Sequence, residues 1–382
     1  MLPGNIITIY KEVYKLPELV YEERVSEDVF CFYKKTHYFV AVVVYNSEKE
    51  ILLVRDFNKN IGWEIPGGYI LDNENIEDAV HRVVLKETGL EIDETEPVAI
   101  VKNLFTCGGK SLLHIGIAFV ALSRGKVSDC SKNIKNLFTK ETSIKTAYQN
   151  DKIIIMANKR IAEKNAKVPS EEIDSVKKIS FPLYIAHNYI IKPIGSMASN
   201  KIDRVIFNMI TERPDSVLDV SCGDSSLLNK LRKTYNPKIC MGNDISWKII
   251  KMAKKENLGI IFTNHNILNL PYKKIFDLVI FKNTLHHLDW KNQTKAIDNL
   301  KKISKQLIIV DIDDPKNYSF LSKIWNFYYK HVLGDCGKYF LSFEKFKKII
   351  DFKTTNEKRR LGVANTVKGR YFFISIEKQK PN

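Results

Sequence analysis

The sequence predicts an α/β protein of two domains, the second built on a doubly wound parallel sheet. Three observations carry this. The chain has 382 residues, about twice the usual length of one domain. Five short apolar runs in its second half alternate with helical stretches at the interval of βαβ units. The first half instead sets β-branched runs ahead of a Gly-rich turn and an amphipathic helix. With 44% hydrophobic and 27% charged residues, the composition excludes a largely disordered chain.

In the first half, YFVAVVVYNSEKEILLVRD at 38–56 holds two β-branched runs split by a polar turn, the pattern of a hairpin with one buried face. After PGG at 66–68, Ile76, Ala79, Val80, Val83 and Val84 recur at helical spacing, and Gly89 stops the helix. LLHIGIAFVAL at 112–122 reads as a further strand, and NDKIIIMANKRIAEKN as a helix that packs back on the first domain. The polar, Lys-rich stretch from Ser128 to about Lys178 sets the boundary, giving domains at 7–165 and 181–380 joined by a linker at 166–180. Strands in the second half are SVLDV at 216, KICMGN at 238, GIIFT at 259, FDLVIFK at 276 and QLIIVDI at 306. Such short apolar runs belong to a sheet covered on both faces. A final pair, around Phe352 to Thr355 and Arg370 to Ile376, closes that sheet with an antiparallel edge.

No apolar run approaches the ~18 residues that span a bilayer, and the N-terminal MLPGNIITIYKEVYK lacks the basic start and apolar core of a signal peptide, so a cytoplasmic protein is expected. The six cysteines are scattered without a CxxC pair and read as reduced, mostly buried thiols. The net charge of +16 is uneven, −1 over residues 1–180 and +17 over 181–382. A positive field of that kind attracts anionic small molecules or nucleic acid. No block of five basic residues with interleaved aromatics marks a nucleic-acid groove, however, and a solvated basic surface competes with both.

VLDVSCGDSSLL at 217–228 is a strand running into a turn of small residues and then a helix. Gly223 lets backbone approach a ligand closely, and Asp219 at the strand end accepts hydrogen bonds from an ammonium or hydroxyl group. The second strand ends at GNDIS, which puts Asp244 where an acidic residue receives ribose hydroxyls in sheets of this type. TNHNILNLPY follows the third strand and KNTLHHLDW the fourth, so all these segments leave one edge of the sheet.

This ordered set resembles the class I S-adenosylmethionine-dependent methyltransferases, in particular the small-molecule branch whose fourth strand is followed by a sequence like NVLHHL; the likeness runs from about Lys201 to Lys378. It implies a Rossmann-like doubly wound domain, S-adenosyl-L-methionine as cofactor and a small-molecule acceptor. Asp219, Ser221 and Gly223 would then hold the methionine part, Asp244 the ribose, and Asn266 and Ile267 the adenine, while Asn283 and Leu285 would line the pocket. One of His286 and His287 would serve as a catalytic base, with a structural role for the pair as the competing reading. The chain departs from the family at Ser221 and Ser225, where glycines are usual, and at Asn266, where aspartate is usual.

IPGGYILDNENIEDAVHRVVLKETGLEI matches the Nudix hydrolase signature in length and register, with Gly68, Glu74, Arg82, Glu87, Gly89 and Leu90 in place. The resemblance implies an N-terminal Nudix-like α/β/α sandwich and carboxylates that hold Mg²⁺ against a diphosphate. Two of the three helix glutamates are replaced here, by Val83 and Lys86, and Lys86 repels a cation. Glu87 and Glu74 are the remaining metal candidates. Glu74, Glu77 and Asp78 could offer a displaced metal site, but the preferred reading is acids at the helix N-terminus favoured by the helix dipole. The expectation is a domain that binds rather than hydrolyses, with Trp63, Phe105 or His114 as pocket walls. The alternatives are residual diphosphate hydrolysis, which makes the protein bifunctional, and a methyltransferase directed at RNA or another nucleic acid.

Overall fold

The computed structural model describes residues 3–32, 36–56, 62–72, 74–124, 134–140, 146, 150–163, 192–257, 259–314, 319–328, 337–350 and 357–378. The chain divides into two compact units, residues 1–169 and 170–382, with the short segments 263–265 and 271–274 grouping with the first. The expected linker at 166–180 lies outside the described residues.

The first unit runs α1 (Pro3–Tyr14), β1 (Glu18–Arg24), α2 (Glu27–Phe32), β2 (Tyr38–Tyr45), β3 (Ile51–Asp56), β4 (Gly67–Tyr69), α3 (Ile76–Thr88), β5 (Glu91–Cys107), β6 (Lys110–Arg124), β7 (Ile134–Thr139) and α4 (Asp151–Glu163). Its mixed sheet has the order β1-β5-β6-β2-β3-β7, with β4 paired to β2. The hairpin expected at 38–56 is present, β2 pairing antiparallel with β3 at Tyr45↔Ile51 and the Asn46 N–H donating to the Glu50 carbonyl at 3.0 Å, but it is buried on both faces rather than one. The main neighbour of β2 is β6, to which it is parallel through the register Tyr38↔Ile115 to Tyr45↔Leu122. Residues 40–45 are buried on both faces, because α4 covers Ala41, Val43 and Tyr45 through Ile153, Ile154, Ala157 and Ile161 while α3 lies against the strand as well. A run such as VAVVV, apolar at every position, is the signature of that two-sided burial. The helix α3 follows the expected register, and Gly89 closes it in a left-handed conformation at φ 70°, its N–H donating to the Leu85 carbonyl.

The second unit runs α5 (Lys192–Met209), β8 (Ser216–Asp219), α6 (Ser226–Tyr235), β9 (Ile239–Asn243), α7 (Trp247–Glu256), β10 (Ile261–Thr263), β11 (Phe276–Lys282), α8 (Trp290–Lys302), β12 (Ser304–Ile312), α9 (Phe320–Tyr328), α10 (Phe343–Ile350), β13 (Glu357–Thr366) and β14 (Gly369–Lys378). The sheet order is β10-β9-β8-β11-β12-β14-β13. Pairings β8 with β9, β8 with β11 and β11 with β12 are parallel, while β14 is antiparallel to both β12 and β13. The antiparallel edge is therefore as expected, but its outer strand is 357–366; the expected 352–355 lies outside the described residues. The core joins Ile202 and Ile206 of α5, Leu227, Leu228 and Leu231 of α6, and Ile280 and Ile308 of the central strands. Among the described residues no helix is long and apolar enough to cross a membrane.

Ile308 is fully buried in that core. Replacing it with alanine removes three carbons whose space the sheet cannot refill, so Ile308→Ala is expected to destabilise the second unit by about 2–5 kcal/mol. Thermal denaturation checks this, and an unchanged transition would show that the core is not packed as described.

Candidate active site at the sheet edge

The strand β8 is buried along its whole length and ends at Asp219, whose side chain is only 3% exposed. Burial pushes the Asp219 carboxyl up to about 7, against the pull of the nearby Lys282 ammonium. Its Oδ1 accepts from the Ser221 N–H at 3.4 Å. The turn that follows is tied at both sides. Ser221 Oγ donates to the Lys282 carbonyl at 3.2 Å, and the Cys222 N–H donates to the Asn243 carbonyl at the end of β9 at 3.0 Å. Gly223 sits at φ +51°, a conformation that suits glycine, and the position where a side chain would start is open space. Ser225, where the resembled family carries glycine, keeps the left-handed conformation at φ 60°.

Asp244, one residue past β9, faces this turn. Its Oδ2 accepts from the Gly223 N–H at 3.2 Å and its Oδ1 from the Ser246 N–H at 2.9 Å, and burial raises its pKa. Asp219 and Asp244 thus do stabilise turns, Asp219 through the Ser221 N–H and Asp244 through the Gly223 N–H two residues on. Asn266 Oδ1 accepts from the Leu268 N–H at 2.9 Å and caps the short helix Ile267–Asn269, leaving Ile267 buried. Asn283 ends β11 at φ 55°, its N–H donating to the Val310 carbonyl at 2.9 Å, with its side chain exposed and Leu285 buried just beyond.

The two histidines occupy different surroundings. His286 is 5% exposed. Its Nδ1 lies 2.5 Å from Asp311 Oδ1, its backbone N–H donates to Asp311 Oδ2 at 3.3 Å, and its ring stacks on Phe340 at 5.1 Å and 9°. Its carbonyl accepts from the N–H groups of Lys338 and Tyr339, both at 3.0 Å. Gly337 passes so close that a side chain there would strike the imidazole. His287 is exposed. Gln293 fastens the same loop by donating to the carbonyls of Leu285, Leu288 and Tyr339. Asp311 and Gln293 escaped the sequence reading. Asp311 had a usable signal, an acidic residue at the end of an apolar strand, the same signal that marks Asp219 and Asp244.

In the first unit the signature residues are engaged with one another. Both oxygens of Glu74 accept from Arg82, at 2.6 and 2.8 Å, and Oε2 also accepts from the Leu71 N–H at 2.9 Å. Glu87 Oε2 accepts from the Gly67 N–H at 3.3 Å. Val83 is a core side chain and Lys86 stands in solvent. Glu77 lies in the first turn of α3 as expected, but it is 1% exposed and accepts from the Tyr10 hydroxyl at 3.0 Å and Thr95 Oγ1 at 2.5 Å. Its side chain points inward, where only hydrogen-bonded carboxylates are tolerated. No group of three or more His, Cys, Asp or Glu that could hold a metal occurs among the described residues, so Mg²⁺ at Glu74 and Glu87 gains no support. His114 is buried, and burial together with His37 brings its pKa down to about 4. Its ring meets His37, Phe105 and Tyr69 at centroid distances of 5.0, 5.1 and 5.8 Å. Trp63 packs partly buried against the core.

The raised pKa of Asp219 has a sign that can be checked. The unfolded chain releases this proton near pH 4 and the folded chain near pH 7, so the folded state binds more protons in between and loses stability as pH rises through that window. Asp219→Asn removes the titration. Its stability relative to the parent is expected to improve by a few kcal/mol between about pH 4 and pH 7.5, measured by urea denaturation; a constant difference across that range would contradict the burial described.

Comparison with known proteins agrees with the two halves. Residues 35–153 match the model of the NUDIX domain family, and residues 217–306 match that of a methyltransferase domain family. Two curated relatives, RNA pyrophosphohydrolases from Histophilus somni strains 2336 and 129Pt, are 33% identical over 64 residues, 17% of this chain and 33% of theirs. The chain thus spans about a third of the length of the curated relatives it matches. Similar solved structures include the N-methyltransferase NodS from Bradyrhizobium japonicum WM9 with S-adenosyl-L-homocysteine (TM-score 0.37, 15% identity, 47% of this chain and 87% of that one). The plantazolicin methyltransferase BamL, with an analogue and S-adenosylhomocysteine, gives TM-score 0.38 and 18% identity over 51% of this chain and 95% of that one. By the two family models, the chain carries a Nudix domain at 35–153 and a methyltransferase domain at 217–306.

Proposed function

We propose that the second half transfers a methyl group from S-adenosyl-L-methionine to a small-molecule acceptor, and that the Nudix domain binds a ligand rather than hydrolysing a diphosphate. The observation that carries the first statement is the pair of strand-end carboxylates, buried Asp219 and half-buried Asp244, beside the open Gly223 turn. The donor set suits the cofactor. A carboxylate held near pKa 7 by burial is satisfied by a cationic partner, and the cofactor's amino acid part ends in an ammonium. Asp244 offers a carboxylate to a diol, and Gly223 leaves room for backbone to approach.

When bound, the cofactor supplies a methyl carbon activated by the positive sulfur. The chain's task is then to bind, orient and exclude water. Asp219, with Ser221 and Gly223, would hold the ammonium end, Asp244 the ribose, and Asn266 and Ile267 the adenine rim. Asn283 and Leu285 would form the wall under the acceptor. His286 is too enclosed to meet a substrate and acts as a positioning residue: Asp311 fixes its ring, and its carbonyl and stacking hold residues 337–340 over the loop. The exposed neighbour His287 is the member of the pair able to take a proton from an acceptor.

For the Nudix domain, binding without hydrolysis is favoured because Val83 faces the core, Lys86 faces solvent and Glu74 is committed to Arg82. Carboxylates arranged in that way do not gather a divalent cation.

Calorimetry with S-adenosylhomocysteine tests the leading reading. Binding with one ligand per chain is expected, with proton release at pH 6.5, since an ammonium partner lowers the Asp219 pKa, and with that release gone at pH 8.5. Asp219→Asn should weaken binding about tenfold or more. No binding at either pH would sink the proposal.

A further inference from the structure

On the second unit a groove runs between the start of α8 and the helix α10, and the methyl-transfer reading leaves it without a task. It holds about 260 Å³ and is lined by Trp290, Leu341, Lys345, Lys348 and Ile349. Positions 345, 348 and 349 share one face of α10 at spacings of three and four, and Leu341 precedes Lys345 by four. Leu341 is only 3% exposed and gives the groove an apolar floor. The opposite wall is Trp290, the first residue of α8, whose side chain stays 48% exposed.

Both walls are held from behind. Phe346 is fully buried and packs its ring on Phe372 of β14 at 4.2 Å, which seats α10 on the sheet while Lys345 and Lys348 stay in solvent. The first turn of α8 is capped by Asp289, which accepts from the Asn292 N–H at 2.9 Å, and Gln293 ties it to the carbonyls of Leu285, Leu288 and Tyr339. The Tyr339 ring meets Trp290 edge-on at 5.9 Å. The groove is therefore built on the loop that carries His286 and His287, and the indole face is presented to solvent although burying so large a ring is favourable.

The charge of the groove is positive. Lys345 Nζ lies 5.8 Å from the centre of the Trp290 ring. The acids on the same elements are engaged elsewhere, Asp289 with Asn292 and Glu344 with Lys347 at 2.9 Å. Among the described residues neither the Lys345 nor the Lys348 ammonium pairs with a carboxylate. An open indole face beside two amines one helical turn apart suits a nucleotide, whose base stacks on the ring and whose phosphate takes both amines. A carboxylate would answer only one of the two charges. The volume lies just under the ~300–1,000 Å³ of pockets that enclose drug-sized ligands, which favours one nucleotide over a longer strand. The +17 charge of residues 181–382 adds a field of the same sign.

We propose that the groove between α8 and α10 binds a single nucleotide, its base against Trp290 and its phosphate between Lys345 and Lys348. The site goes beyond the methyl-transfer reading and does not depend on it.

The probe is uridine 5′-monophosphate on the full chain, with uridine and benzoate as controls, each with and without S-adenosylhomocysteine. Heteronuclear NMR follows the Trp290 indole N–H, assigned by its loss in Trp290→Ala, and calorimetry gives the affinities. Uridine 5′-monophosphate is expected to shift the indole signal and to bind about tenfold more tightly than uridine or benzoate. Trp290→Ala should weaken it about tenfold. The double variant Lys345→Met with Lys348→Met should bring it down to the level of uridine, and arginine at both positions should recover most of the loss; circular dichroism confirms that each variant folds. An indole signal that does not respond, or a double methionine variant that binds like the parent chain, overturns the site. Benzoate binding as tightly as the nucleotide overturns the choice of ligand, and a response abolished by S-adenosylhomocysteine places the nucleotide at the cofactor turn and overturns the groove. If S-adenosylhomocysteine binds and the nucleotide does not, the groove falls and the methyl-transfer reading stands; the converse leaves the groove standing alone.

Discussion

Parallel pairing of the central strands is the constraint on which the second half depends. With β8 beside both β9 and β11, and β11 beside β12, the carboxyl ends of four strands fall on one edge of the sheet. The register is tight enough to be read residue by residue: Asp219 lies opposite Gly242 on one side and Ile280 on the other, and Lys282 lies opposite Val310. Strand-end residues far apart in sequence become neighbours for this reason alone. Asp219, Gly223, Asp244, Lys282, Asn283 and Asp311 owe their proximity to it, and the hydrogen bonds from Cys222 to Asn243 and from Gly223 to Asp244 lock the first turn to the second strand.

The same edge concentrates charge in a poor dielectric. A carboxylate at the end of a buried strand costs free energy unless something answers it. Asp311 is answered within the chain by His286, and Asp203 by two lysines. Asp219 is answered least, with one long backbone contact and a lysine that is itself shared, and its pKa is displaced accordingly. Asp244 is intermediate, accepting from two backbone N–H groups.

What could be read from the sequence follows from how local each feature is. Strands and helices of the second half are visible because apolar runs and helical periodicity are local signals, and the acid-then-glycine order of VLDVSCG carries its turn with it. The environment of a side chain is less local. His286 and His287 are adjacent and alike in sequence, but Asp311, Phe340 and Gly337 enclose only the first, and those residues come from 25 to 54 positions away. Glu77 shows the same limit: its position at the start of α3 is local, whereas its burial depends on Tyr10 and Thr95. In the Nudix domain the replaced glutamates were legible and their fates were consistent with the pattern, since Val83 joined the core and Lys86 the surface. The hairpin expectation missed the helices α3 and α4, which come from elsewhere in the chain and cover β2 on both faces.

Asp219 at the ammonium of the cofactor's amino acid part and Asp244 at its ribose are the two contacts on which the proposed function turns. A crystal structure of the full chain with S-adenosylhomocysteine measures them directly. The ligand's ammonium is expected within hydrogen-bond distance of Asp219 and its ribose hydroxyls on Asp244. A ligand bound elsewhere, or bound here with its ribose on other side chains, would contradict the proposal.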